Sequence, residues 1–169
     1  LGSSEAVAPK TDTHLAVTER SLENAHLRAE FAENGDLLRL WDKHAERDVL
    51  VAGERGNRFQ LYEDKPGKYD AWDIVASYVE HELPMAGDCT LSVDETGPLR
   101  VALRLERRFY NSHITQRISL TADSRVLRFE TWVDWQERQR LLKVGFPVAI
   151  NAHHATYDIA YGSIERATH

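Results

Sequence analysis

Cysteine occurs once in these 169 residues, as Cys89, so no disulfide can form within the chain. That usage fits a reducing compartment, and cytoplasmic residence is the expectation. Excess positive charge is also missing. Twenty-one Lys and Arg stand against 27 Asp and Glu, a formal charge of −6. A nucleic-acid binder shows a basic face, so no nucleic-acid partner is expected. No apolar run reaches the roughly 20 residues of a membrane span, and none is expected to enter a membrane. Residues 1–21 lack the basic and apolar regions of a signal peptide. Missing as well are HxH, HExxH, CxxC, GxSxG, the P-loop and the Gly-rich dinucleotide fingerprint, together with internal repeats.

What is present is a period of two. LRVALRLERRFY puts Leu99, Val101, Leu103 and Leu105 on one face with Phe109, and Arg100, Arg104, Glu106 and Arg108 on the other. SHITQRISL gathers Ile114, Ile118 and Leu120 opposite Thr115, Arg117 and Ser119. VLRFETWVDW aligns Leu127, Phe129, Thr131, Val133 and Trp135. VGFPVAI alternates Val144, Phe146, Val148 and Ile150, with Pro147 marking an edge or a bulge. YNSH and TADSR are turn signals, so the first three runs form an antiparallel meander.

AENGD is a hairpin turn in which Asn34-Gly35 supplies positive φ, between LRAEF and LLRLWDK. ATYDIAYG is a further strand. WQERQRLLK is charged and has no N-cap, and reads as a strand end and a turn. Many strands with short connections predict an all-β fold, an antiparallel β-sandwich. Residues 1–20 read as a linker or cloning remnant and residues 21–169 as the sandwich domain.

Candidate chemistry concentrates in EDKPGKYDAWDI, with Glu63, Asp64, Asp70, Asp73, Tyr69 and Trp72. Carboxylates that accept hydroxyl protons and aromatic rings that stack on a pyranose are the residue types of sugar handling. Pro-Gly with flanking charges is equally ordinary turn chemistry. Glu130 and Asp134 share a strand face with Trp132 and either line a groove or form a solvated face paired with the arginines of 99–110. His153 and His154 are strand neighbours that point apart, which favours surface or structural roles over metal ligation. Cys89, at the start of a strand in MAGDCTLSVDE, reads as a buried or half-buried thiol. The residues leave open a carbohydrate-binding sandwich and a mutarotase or epimerase, the latter needing His113 or His153 beside a carboxylate.

Four blocks in order carry a resemblance. They are LENAHLRAEFAENGDLLRLWDKHAERDVL, GERGNRFQLYEDKPGKYDAWDI, ITQRISLTADSRVLRFETWVDWQERQRLLKVGFPV and ATYDIAYGSIERATH. Together they resemble the C-terminal β domain of family 38 α-mannosidases, most closely the cytosolic and bacterial branch. That branch has similar "ED-P…WDAWD", "DW-ER…LLKV-FPV" and "G-IERPTH" motifs. The chain departs from it at Ala167, at Gln136 and in the less acidic stretch IVASYVEHELP.

The resemblance implies a supersandwich of galactose-mutarotase-like architecture within a zinc-dependent, retaining glycosidase acting on α-linked mannose. It implies that the nucleophile, the acid–base residue and the zinc ligands lie in an upstream barrel and helical segment. This chain would then hold no cofactor, catalyse nothing alone, and pack on the catalytic barrel of the same polypeptide. Its partners would be that barrel and a mannose-containing oligosaccharide. Tyr62, Asp64, Trp72 and Asp73 are the residues expected to line the sugar pocket. A severed domain exposing its docking face is expected to self-associate.

Overall fold

A computed structural model describes residues 14–69 and 72–168. In chain order the strands are β1 Ala16–Thr18, β2 Ser21–Glu23, β3 Leu27–Phe31, β4 Leu37–Asp42, β5 Arg47–Asp48, β6 Arg58–Glu63 and β7 Glu82–Leu83. They continue with β8 Cys89–Thr96, β9 Arg100–Phe109, β10 Ser112–Thr121, β11 Arg128–Asp134, β12 Arg140–Gly145, β13 His154–Ile159 and β14 Gly162–Ala167. A single 3-10 turn, Ala76–Glu80, is the only helical element among the described residues. None of these elements is a helix long and apolar enough to cross a membrane.

All pairings are antiparallel. The expected meander is present, as a four-stranded sheet in the order β11-β10-β9-β8. Its inner face is the backbone of the sandwich. Val101, Leu103, Ile118 and Leu120 pack there against Leu22, Ala29, Phe31 and Leu37 of the sheet β1 to β5. Further along the same face, Leu105, Phe109 and Ile114 pack on Phe59 and Leu61 of β6, in the sheet β12-β6-β7. One sheet therefore covers two smaller ones. The smaller sheets are joined by isolated bridges, Leu37 to Gly56 and Leu50 to Val148. The two inward faces and their outward polar partners are what a period of two dictates when only one side is buried.

Several local expectations change. Only Gly35 of the AENGD turn has positive φ, at 76°. Asn34 acts through its side chain instead, taking the Asp36 N–H at 3.2 Å and donating to the Asp36 carboxylate at 2.9 Å. Leu99 lies before β9 and is exposed. β12 stops at Gly145, because Pro147 cannot donate to a ladder. Val144, Phe146, Val148 and Ile150 are accordingly exposed rather than a core face. ATYDIAYG is not one strand. It is β13 and the turn into β14, with Tyr161 at φ 64°. β1 falls within the stretch 1–20, and residues 1–13 lie outside the described residues.

The outer face of the large sheet is a solvated ionic surface. Arg117 holds Asp94 at 2.9 Å and also Glu95, and Arg100 holds Glu95 at 2.8 Å. Arg100 thus forms its ion pair with Glu95 of β8, while Glu130 of β11, one of the two carboxylates the sequence pointed to, acts on Arg100 only through space.

Candidate functional site

The β6–β12 register makes the site. Arg140 pairs with Glu63 and Leu141 with Tyr62, so β6 ends where β12 begins. Residues just after β6 must then lie beside residues just before β12. The Asp64 N–H donates to the Gln139 carbonyl at 2.9 Å and ties the two together. Between them lies a cleft of about 530 Å³. Asp64, Pro66 and Lys68 form one wall, and Trp135, Glu137 and Arg140 the other. Asp64 also borders a second cleft of about 220 Å³ with Tyr78 and His81.

The wall before β12 is anchored. One Glu137 oxygen accepts the Asn111 N–H at 2.8 Å and the Ser112 hydroxyl at 2.9 Å. The Gln136 N–H donates to the same Ser112 Oγ at 2.9 Å. Trp135 packs on Phe109 with ring centroids 6.1 Å apart. Gln139 has φ 52°, an uncommon conformation for a residue with a side chain, at the point where the two walls are bonded. On the other wall Glu63 pairs with Lys65 at 2.6 Å, with Arg140 further off at 3.9 Å. The Lys65 ammonium, helped by Arg140 and His81, holds the Glu63 carboxyl below the usual carboxylate range.

Of the four sequence candidates, Asp64 reaches the cleft. Its Oδ1 is buried and has no hydrogen-bond partner among the described residues. Tyr62 is only 6% exposed; its ring meets Tyr78 edge-on at 5.1 Å and its hydroxyl accepts from Gln60 at 2.7 Å. Trp72 is 87% exposed and Asp73 is exposed too. Both stand outside the two clefts, where their N–H groups donate to the Tyr69 carbonyl at 3.0 and 2.8 Å. Asp70 lies outside the described residues.

Trp135, Glu137 and Arg140 were not among the sequence candidates. Their signal was the DWQERQRLLKV block, legible as a motif but not as a neighbour of residue 64. His113 does have a carboxylate opposite, Asp134 on β11, but both point to the outer face, since Ser112 and Ile114 are buried. Among the described residues no three His, Cys, Asp or Glu gather as a metal needs, so these side chains do not fit a zinc ion.

The sequence is 34% identical over 151 residues to alpha-mannosidase 2C1 of Homo sapiens and 32% identical over 154 residues to alpha-mannosidase G of Dictyostelium discoideum. Each match covers 88% of this chain and 14% of the relative, so the chain spans about one seventh of the length of these proteins. An alpha-mannosidase of Saccharomyces cerevisiae is 28% identical over 121 residues, covering 67% of this chain and 11% of the relative. Residues 22–169 match the family described as "Glycosyl hydrolases family 38 C-terminal domain", and the chain belongs to that family.

Proposed function

We propose that this chain is the C-terminal β domain of an α-mannosidase acting on α-linked mannose, and that the Asp64 cleft helps line the sugar pocket of the intact enzyme. The observation that carries this reading is convergence. Two blocks of the family resemblance, EDKPGK and WQERQR, lie far apart in sequence and form the two walls of one cleft.

The chemistry of the walls supports a neutral polyol. Asp64 and Glu137 are offset by Lys68 and Arg140, so neither sign of charge dominates. The free Asp64 oxygen accepts a sugar hydroxyl, and Trp135 offers an apolar ring face. These are positioning roles, worth orientation rather than bond cleavage. The zinc-dependent, retaining chemistry belongs to the rest of the polypeptide, on which this domain packs. The isolated chain hydrolyses nothing, and the enzyme works in the cytoplasm, where a lone thiol stays reduced.

Asp64→Asn in the full-length enzyme, assayed on an aryl α-mannoside, tests the site. The expected result is a KM raised roughly tenfold with kcat changed far less, as when a charged hydrogen bond to bound substrate is lost. An unchanged KM removes Asp64 from the pocket. Zinc-dependent turnover by the 169-residue chain alone would overturn the division of labour.

A further inference from the structure

Among the buried polar side chains on the inner face of the large sheet, Gln116 on β10 and Arg107 on β9 stand amid leucines and isoleucines. They are treated very differently. Gln116 is closed. Its Nε2 donates to Asn57 at 3.1 Å and Thr131 at 2.9 Å, and its Oε1 accepts from Asn57 at 2.8 Å. Arg107 is 7% exposed, yet its guanidinium has no carboxylate within ion-pair distance among the described residues. One Nη donates to the Asn34 carbonyl, and the guanidinium lies 5.8 Å from the centroid of the Phe59 ring. The buried Nε has no hydrogen-bond partner among the described residues.

Arg107 borders a cleft of about 320 Å³ whose other walls include Cys89, Phe59, Met85, Asp36 and Arg58. The other charges there are already matched. Arg58 holds Glu82 at 2.9 Å, and Asp36 faces Arg55 at 3.5 Å. Arg107 is the unmatched one. A buried charge without a counter-ion is costly, and a guanidinium edge with a free Nε–H suits one planar two-oxygen acceptor. Asp36 and Glu82 oppose a dianion such as phosphate. Phe59 and Met85 suit an apolar body. The Cys89 thiol is no rival anion, because burial pushes its pKa up more than Arg107 draws it down.

We propose that this cleft is a binding site for a small organic monocarboxylate, held through the guanidinium edge of Arg107 with its apolar part against Phe59 and Met85. The site is distinct from the Asp64 cleft and does not rest on the mannosidase reading.

Benzoate is the probe and benzamide its uncharged counterpart, both at constant ionic strength. Side-chain ¹H–¹⁵N spectra of the arginines are followed, with the Arg107 resonance assigned by Arg107→Lys. Benzoate is expected to shift that Nε–H saturably, with half-effect in the roughly millimolar range. Benzamide is expected to leave it in place.

Alkylation of Cys89, the sole cysteine, should slow about tenfold when benzoate stands at ten times its dissociation constant. Met85→Trp fills the cleft while keeping Arg107. It should abolish both effects, and it serves if Arg107→Lys does not fold. No saturable shift, or the same response to benzamide, overturns the proposal. So does an effect that persists in Met85→Trp.

Discussion

Gly35 shows how much a single position can carry. Its φ is 76°, and a Cβ built there would sit 1.7 Å from the Leu105 Cδ1. The first fact makes any other residue strained in the turn, and the second drives a methyl into the core. Gly35→Ala is therefore expected to lower unfolding free energy by about 2–4 kcal/mol, read from urea midpoints at unchanged m-value. A loss within a few tenths would mean that Leu105 repacks freely. The turn itself was legible in AENGD, but the collision was not, because Leu105 is remote in sequence. Arg107 teaches the converse. The alternation through Leu103, Leu105 and Phe109 already placed it inward, as an arginine in an apolar stripe. The signal was present in the sequence and easily passed over beside the outward arginines.

Among the elements, β9 and β10 are the ones a sequence specifies best. Their turn is short and one face is wholly buried, so a slip of one residue would turn every leucine away from the core. The opposite case is the β13–β14 hairpin. Among the described residues its strands pair with each other alone, and every residue of β14 is exposed. An isolated two-stranded hairpin is marginal in water. Hydrogen exchange on this chain should accordingly find the amides of residues 154–167 far less protected than those of β9 and β10, opening without global unfolding. Equal protection in both regions would mean that the hairpin has a packing partner. β12 was half legible. RLLKVG has strand character, but its partner β6 lies far upstream, and that pairing alone creates the Asp64 cleft.

For the whole molecule, acid is the informative perturbant. The Glu63 carboxyl is held low by Lys65, the Glu106 carboxyl by Arg104, and the Asp42 carboxyl by the N–H groups of Ala45 and His44. Each folded-state pKa lies below its unfolded value. Their contribution to stability is thus present above the ordinary carboxylate range and fades as pH falls through the folded values. The melting temperature should hold near neutrality and drop progressively below about pH 4. Lys65→Met should soften that drop, and a flat profile to pH 2 would show that these contacts do not persist in solution. The fold class, the meander, the turn at Gly35 and the four blocks that carry the family resemblance were all written in local pattern, because alternation and turn chemistry act between near neighbours. The meeting of residue 64 with residues 135–140, the unmatched charge of Arg107 and the exposure of Val144, Phe146, Val148 and Ile150 were settled in three dimensions. Each depends on which distant strand is the neighbour, and a period of two gives the face a side chain points to but not what waits there.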